Sequence, residues 1–195
     1  MSANLFVIIG PSAVGKNALL NRLRGSYPGV KRVVSATTRP PRLEERDGAD
    51  YRFVTTEEFL RMERTGMLAE WTEFEGHLYG TPIDLLRVGA DAGTRHIAIV
   101  DTVGAKAIKE KLGDGAVTIF VMPPSEDALR RRFMDRGNAY KGENVEGRMA
   151  RARRDMAMAG DFDHTVVNDD IESAVSEVAQ IMGLLSREFG CGKVR

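Results

Sequence analysis

The chain has 195 residues, enough for one generous domain with a sizeable core and too few for two large ones. Its 28 basic residues balance its 28 acidic ones, which argues against a general affinity for nucleic acid or an anionic membrane surface. No apolar run reaches the roughly 18 residues of a membrane-spanning helix, and residues 1–4 lead into an apolar strand without a signal peptide. The single cysteine, Cys191, cannot form an intramolecular disulfide, which favours a reducing compartment. We therefore expect a soluble, cytoplasmic protein that binds neither nucleic acid nor membranes.

The first predicted elements are a strand, a glycine-rich loop and a helix. Leu5–Ile9 is uniformly apolar, Gly10-Pro11-Ser12-Ala13-Val14-Gly15-Lys16 has the spacing G-x-x-x-x-G-K, and residues 17–23 have a helical pattern. The backbone N–H groups of such a loop surround phosphate oxygens, its lysine reaches the outer phosphates, and the helix adds its positive N-terminal end. A glycine-rich turn before an ordinary helix is the alternative interpretation, but the strand-to-helix context favours a phosphate loop.

The loop departs from the usual pattern just after its lysine. That position normally carries Ser or Thr, whose hydroxyl ligates Mg²⁺, whereas this chain has Asn17 followed by Ala18. The amide oxygen of Asn17 is a hard ligand that can serve the metal or a water bound to it. Asn17 is therefore the candidate metal ligand.

The segment at about residues 35–83 is predicted to be a strand-rich insertion. Residues 32–42 indicate a short strand that runs into a loop stiffened by Pro40 and Pro41. The remaining predicted elements of the insertion are a strand at 51–54, a helix that begins at Thr55 with a Thr-x-x-Glu cue, and two strands at 68–74 and 77–79.

Beyond the insertion, short apolar runs alternate with amphipathic segments, which predicts an α/β fold with a parallel sheet and helices on both faces. Two basic helices flank a polar loop at 137–143 and together are typical of a flap. The predicted helices cover residues 82–86, 103–112, 125–136, 145–159 and 171–189, and the predicted strands cover residues 96–100, 117–121 and 165–167.

Two groups of residues in the insertion are suited to ligand binding. Arginine forks and tyrosine hydroxyls surround phosphate oxygens well, which makes candidates of Arg39, Arg42, Tyr51 and Tyr79. A carboxylate accepts two hydrogen bonds from a donor pair such as that of guanine, which adenine does not offer. Glu70 is the candidate for that role, with Ser35, Thr81 and Asp101 as further candidates elsewhere in the core segments. Taken singly, each has an ordinary alternative as a solvated arginine or a solvent-facing glutamate.

The basic helices offer cations for phosphoryl transfer, whose transition state spreads negative charge over equatorial oxygens. Arg132 and Arg136 share one helical face, and Arg148 follows the polar loop. We expect the other arginines of these helices to be solvated, namely Arg130, Arg131, Arg151, Arg153 and Arg154. The three histidines lack metal-ligand spacing and receive no catalytic role.

With these features together, the chain resembles the guanylate kinase family over nearly its whole length. The motifs that carry the resemblance are residues 10–16, Ser35 with 38–42, 48–51, 70–71, 79–81, Asp101 with 104–105, 123–125, 136–137 and 167–170. The resemblance implies a P-loop nucleoside monophosphate kinase-like fold. Its core would comprise residues 1–34, 84–125 and 160–190, with a GMP-binding insertion at 35–83 and a helical lid at 126–159.

The resemblance also implies phosphoryl transfer from ATP to GMP, giving ADP and GDP, with Mg²⁺ bridging the ATP phosphates. Arg39, Arg42, Tyr51 and Tyr79 would hold the GMP phosphate, while Ser35, Glu70, Thr81 and Asp101 would read guanine. ATP would bind to Gly10, Pro11, Ser12, Ala13, Val14, Gly15, Lys16, Asn17 and Ala18, with Asn168 near adenine. The catalytic set would be Lys16, Arg39, Arg132, Arg136 and Arg148.

Three positions depart from the family pattern: 17–18, Ile99 in place of the first acid of an Asp-x-Asp segment, and Val103 in place of a common glutamine. Two other functions therefore stay open. One is a catalytically weak guanylate kinase-like module that captures phosphorylated protein segments, and the other is a related small-substrate kinase such as a ribose-bisphosphate kinase. We expect the chain to be a monomer or a homodimer.

Overall fold

The computed structural model describes residues 4–74, 76–85, 94–135 and 145–185. Within these ranges the chain forms nine strands and six α-helices. The strands are β1 (Leu5–Ile9), β2 (Val30–Arg32), β3 (Ala36–Thr37), β4 (Arg52–Phe53), β5 (Leu68–Phe74), β6 (His77–Pro82), β7 (Arg95–Ile99), β8 (Ala116–Met122) and β9 (His164–Val167). The helices are α1 (Lys16–Ser26), α2 (Thr56–Arg64), α3 (Thr102–Leu112), α4 (Glu126–Asp135), α5 (Val145–Ala157) and α6 (Ile171–Ile181).

The larger sheet is built around β1, whose five residues are all buried. The strand order is β2-β7-β1-β8-β9, and every neighbouring pair is parallel. Phe6 and Ile8 pack on one face in a cluster with residues of α1 and α6, while Leu5, Val7 and Ile9 pack on the other face in a cluster with residues of α3. A parallel sheet covered on both faces requires such uniformly apolar strands. The predicted α/β sheet is therefore confirmed.

The connections of this sheet place a crevice at the end of β1. The chain leaves β1 toward β2 on one side, whereas it leaves β8 toward β9 on the other side. In open α/β sheets, ligands bind outside the carboxyl ends of the strands where the winding direction reverses. The loop after β1 lies at that point.

The smaller sheet has the strand order β4-β3-β6-β5 and packs against α2. Strands β5 and β6 form an antiparallel hairpin, whereas β3 and β4 are parallel. The side chain of Thr55 accepts a hydrogen bond from the backbone N–H of Glu58 at 3.1 Å, which caps α2. The helix start predicted at Thr55 is therefore confirmed.

Three predicted elements differ from the structure. The strand predicted from Arg32 is split, because β2 pairs with β7 in the larger sheet while β3 pairs with β6 in the smaller one. The predicted helix at 82–86 is wrong within the described residues: β6 continues to Pro82, and Ile83–Leu85 is a single 3-10 turn. The closing helix ends at Ile181 because Gly183 takes a positive φ of 65°.

Several predictions concern residues that the structure does not describe: Arg136, the polar loop at 137–143, the end of the closing helix beyond Leu185, and Cys191. Among the helices of the described ranges, none combines the length and apolar character needed to traverse a bilayer.

Candidate active site

A cleft of about 250 Å³ opens at the carboxyl ends of β1 and β7 and extends to the smaller sheet. It brings together the phosphate loop and most of the candidate ligand-binding residues of the insertion. The predicted site residues in its lining are Gly10, Ser12, Ala13, Gly15, Lys16, Asn17, Ala18, Ser35, Arg39, Arg42, Tyr51, Glu70, Tyr79 and Asp101.

The phosphate loop needs its two glycines for both conformation and space. Gly10 and Gly15 have φ angles of 141° and 105°, which other residues rarely adopt. A Cβ on Gly10 would collide with the carbonyl oxygen of Val121, and one on Gly15 would collide with the amide nitrogen of Asn168. Helix α1 starts directly after the loop, so its positive end faces any anion bound there.

Lys16 is folded over this loop. Its Nζ donates hydrogen bonds to the carbonyl oxygens of Gly10, at 2.6 Å, and Pro11, at 3.0 Å. The ammonium group is thereby held at the cleft, where a phosphate ligand would meet it.

Asn168 and Arg132 support the loop from behind. The Asn168 side chain is buried and donates from Nδ2 to the carbonyl oxygen of Val14 at 2.7 Å. Arg132 donates to the same oxygen at 3.2 Å and to the backbone carbonyl oxygen of Asn168 at 3.0 Å. Neither side chain is part of the cleft lining given above, so in this conformation both position the loop.

The four candidate phosphate ligands of the insertion meet on one wall of the cleft. Arg39 donates from Nε to the hydroxyl of Tyr79 at 3.2 Å, and its Cζ lies 5.5 Å from the ring centroid of Tyr51. Arg42 is more exposed and also lines the cleft. Burial raises the pKa of Tyr51, which keeps its hydroxyl protonated and able to donate.

Arg39 also contacts a residue that the sequence did not single out. Its Nη2 donates to both carboxylate oxygens of Glu45, at 2.9 and 2.8 Å. Burial lowers the pKa of Arg39, but its hydrogen bond with Glu45, followed by the charges of Tyr79 and Glu45, outweighs burial, and the net pKa is raised. The guanidinium therefore remains a fixed cation.

The candidate base-reading residues form a second, more buried group. Glu70 accepts a hydrogen bond from Thr81 Oγ1 at 2.5 Å, and both side chains are buried. Burial raises the pKa of Glu70, the hydrogen bond from Thr81 opposes that rise, and the charge of Asp101 adds to it. Ser35 is buried nearby in the same lining.

Gly104 provides the space for this carboxylate. A Cβ on Gly104 would lie 2.6 Å from Glu70 Oε2, closer than any real contact allows. Asp101 caps α3 by accepting from the backbone N–H of Gly104 at 2.7 Å. The first turn of α3 therefore fixes the side chain of Asp101, and the lack of a side chain at Gly104 leaves room for the Glu70 carboxylate.

Helices α4 and α5 present a different set of residues to the cleft than the sequence predicted. Arg148 is buried, with its Cζ 4.1 Å from the ring centroid of Phe133. Asp155 lines the cleft, and the Arg151 guanidinium lies over Phe74, which also lines it. Arg151 is half-buried and packs on Phe74, so it is less solvated than the sequence predicts. The exposed pairs Arg130–Glu146 and Arg153–Glu126 fit the expected solvated surface.

The residues that sequence reasoning missed are Glu45, Phe74, Gly104 and Asp155. For Asp155 a signal was available, because Arg148, Arg151 and Asp155 follow the spacing i, i+3, i+7 along one helical face. Burial raises the pKa of Asp155, and the nearby charge of Lys16 opposes that rise.

The metal side of the cleft has oxygen donors but no preformed cage. Asn17, Asp101 and Asp155 line it, together with Ile99 at the position where an acid was expected. Across the described ranges, no three His, Cys, Asp or Glu side chains group as metal ligands. Mg²⁺ usually takes one or two protein oxygens, substrate phosphates and waters. The donors present therefore fit a magnesium ion that arrives with its nucleotide.

A parallel sheet with a phosphate loop at its switch point, facing a second basic cluster across one cleft, defines a P-loop kinase of the nucleoside monophosphate class. Comparison with known proteins narrows the class. The family model described as guanylate kinase matches residues 2–184.

Individual relatives agree with that match. The chain is 40% identical over 180 residues to a guanylate kinase of Gloeobacter violaceus, covering 92% of this chain and 87% of the relative. It is 43% identical over 171 residues to one of Thermosynechococcus vestitus, covering 88% of each chain. The crystal structure of guanylate kinase from Anaplasma phagocytophilum superposes with a TM-score of 0.76 at 32% identity, covering 94% of this chain and 86% of that one. The chain belongs to the guanylate kinase family, whose enzymes transfer a phosphoryl group from ATP to GMP.

Proposed function

We propose that this chain, an ATP:GMP phosphotransferase by its family, uses the two walls of this cleft for its two nucleotides. The observation that carries the proposal is the placement of the phosphate loop on one wall and the Arg39 cluster on the other. GMP places its phosphate on Arg39, Arg42, Tyr51 and Tyr79. Its guanine meets the buried carboxylate of Glu70, with Ser35, Thr81 and Asp101 around it.

ATP occupies the phosphate loop. Residues 10–18 surround its phosphates and Lys16 exchanges its bonds with loop carbonyls for bonds with phosphate oxygens. Asn168 lies near adenine, behind the loop. These assignments are supported by the loop's positive end and by the fixed position of Lys16.

The chemistry on this site is positioning and charge neutralisation. An oxygen of the GMP phosphate is already a nucleophile, so no general base is required. Lys16 and Arg39 hold the two phosphates in reach of each other, and a closed cleft keeps out water that would otherwise accept the phosphoryl group.

Arg132 and Arg148 complete the charge around the reacting phosphates only after a movement. In the present conformation Arg132 holds the Val14 carbonyl and Arg148 lies over Phe133. We propose that α4 and α5 act as the lid that carries them, together with Arg136, toward the cleft. Residues 35–83 act as the GMP-binding insertion, and residues 1–34, 84–125 and 160–190 form the core.

Mg²⁺ would be held by Asn17 and Asp155 at the phosphate loop. When bound, it neutralises charge on the ATP phosphates. We also propose that the chain works in the cytoplasm as a monomer or homodimer.

The decisive experiment is a coupled assay of ADP formation with ATP, Mg²⁺ and GMP, AMP, UMP or CMP in turn. The proposal predicts turnover with GMP alone, and its loss in Lys16→Ala. A matched control is Lys31→Ala, since Lys31 is an exposed lysine on β2 and lines no part of the cleft. GMP binding without turnover would instead support a phosphate-capturing module.

A further inference from the structure

Glu45 is held by the same turn that carries one of the phosphate-binding arginines. Its backbone N–H donates to the carbonyl oxygen of Arg42 at 3.0 Å, and its carboxylate accepts from the backbone N–H of Arg42 at 2.9 Å. The Glu45 side chain is only 16% exposed. The carboxylate is thus built into the turn and does not depend on Arg39 for its position.

The hydrogen bonds of Arg39 are nearly all made within the protein. A guanidinium has five N–H groups. Two are donated by Nη2 to Glu45, one by Nη1 to the carbonyl oxygen of Pro40 at 2.7 Å, and one by Nε to Tyr79. In the described part of the chain this leaves one N–H of Arg39 for a ligand, in a fixed direction.

We propose that Glu45 is a positioning residue for the GMP phosphate, a role that rests on the proposed function of the Arg39 cluster. Its carboxylate fixes the guanidinium of Arg39 and the turn of Arg42 in one arrangement, and it stays in place when the phosphate binds. The ligand then meets an Arg39 guanidinium that is already oriented and an Arg42 backbone that is already fixed, which lowers the ordering cost of binding.

The arrangement also admits an opposite role, in which Glu45 occupies the place of the phosphate and must be displaced. The contact to the backbone N–H of Arg42 favours the positioning role, because displacement would break that bond as well as the pair with Arg39. The two roles predict opposite effects when the carboxylate is removed.

The test measures binding of GMP and of guanosine, which lacks the phosphate, by calorimetry in wild type, Glu45→Ala and Glu45→Gln. Positioning predicts that Glu45→Ala weakens GMP binding by about 10- to 100-fold, the loss expected when a hydrogen bond to a charged group is misaligned. Guanosine binding and KM for ATP stay unchanged, and Glu45→Gln loses less because its amide oxygen still accepts from Arg42. Glu44→Ala serves as the matched control, since its side chain is exposed and adjacent.

Tighter GMP binding by Glu45→Ala would overturn the proposal in favour of displacement. An equal loss for GMP and guanosine would overturn it in favour of a general structural role. The affinities for GMP and guanosine are binding constants, so they are independent of turnover. A wild-type protein that binds no GMP would instead refute the proposed function itself.

Discussion

The guanidinium of Arg151, on α5, lies over the ring of Phe74, on β5, with 4.8 Å between Cζ and the ring centroid. This contact joins the helix that carries Arg148 and Asp155 to the sheet that carries Glu70. Because Phe74 lines the cleft, the contact lies at its edge and connects the proposed lid to the GMP-binding insertion.

The first prediction concerns this contact. A cation–π pair of this kind contributes about 0.5–2 kcal/mol, so Arg151→Ala should lower kcat/KM for GMP by about 2- to 30-fold. Phe74→Leu should have a similar effect, and the double variant should lose no more than either single one. A double-mutant cycle on kcat/KM checks this. Additive losses would show that the two side chains act separately.

The second prediction concerns base specificity. In Glu70→Gln the buried carboxylate becomes an amide, which keeps one neutral acceptor and turns a donor toward the second N–H of guanine. Hydrogen bonds to a charged group are worth about 1.5–3 kcal/mol each, and both lose that charge. GMP binding should weaken by about 100-fold or more, while ATP binding stays nearly intact. Calorimetry with each nucleotide measures both. A similar loss for ATP would mean that Glu70 maintains the structure and does not read the base.

The third prediction is a pH dependence set by Glu70. Burial raises the pKa of Glu70 above the ordinary 4.5. The hydrogen bond from Thr81 opposes this rise, and the negative charge of Asp101 increases it. The protonated form therefore stabilises the ligand-free fold at low pH, and this contribution is lost as pH rises through the folded-state pKa. Guanosine binding needs the ionised form, so its affinity should fall on acidification at a higher pH than that at which an ordinary glutamate titrates.

Guanosine is the suitable ligand for that measurement because it has no phosphate that titrates in the same range. The affinity of Glu70→Gln for guanosine should not change over the pH interval in which the wild-type affinity falls. A parallel decline in the variant would assign the titration to another group.

The fourth prediction concerns Gly104. Glycine to alanine within a helix normally stabilises a protein by up to about 1 kcal/mol. At Gly104 the added methyl would lie 2.6 Å from Glu70 Oε2 and 3.3 Å from Asp101 Oδ1, so both carboxylates must shift. Gly104→Ala should fold yet lose GMP affinity by at least tenfold. Gly25→Ala in α1 is the matched control, because nothing lies within 4 Å of its added Cβ.

Thermal unfolding and GMP calorimetry together separate these effects. A Gly104→Ala protein that binds GMP as tightly as wild type would show that the Glu70 position is not critical.

The fifth prediction concerns Asn17. A threonine there restores the hydroxyl that usually ligates Mg²⁺ directly. Asn17→Thr should therefore lower the Mg²⁺ concentration that gives half-maximal turnover. Titration of activity with Mg²⁺ at fixed ATP measures this concentration. No change would show that the asparagine amide serves the metal as well as a hydroxyl does.

Local patterns in the sequence predict the parts of this fold that depend on local chemistry. The apolar run of β1 and the Thr55 cap of α2 are readable because burial and capping impose residue types at fixed spacing. The two-residue strands β3 and β4 are too short for any periodicity, so the division of that segment between two sheets was not predictable. Beyond Ile181 the apolar pattern continues through Leu184 and Leu185, and only the backbone of Gly183 ends the helix.

The candidate site also has parts that local sequence patterns predict and parts that they do not. The phosphate loop is a contiguous motif, and the insertion residues form recognisable groups. Glu45, Gly104 and Asp155 act through partners that folding brings to them, namely Arg39, Glu70 and Lys16. No local spacing reveals the contacts of Glu45 and Gly104. Helical spacing does place Asp155 on the face of Arg148 and Arg151, but it does not reveal that Lys16 lies nearby.

The position of β1 at the centre of the larger sheet also determines when a nucleotide site first exists. Leu5 lies opposite His96 of β7 and Ala116 of β8, so β1 has no partner in this sheet until β7 has been synthesised, and it gains its second partner only with β8. Such long-range pairing is slow, and its unpaired strands are prone to aggregation. A nascent chain stalled before β8 would contain every residue of the phosphate loop and still lack the neighbouring strand against which Gly10 is packed.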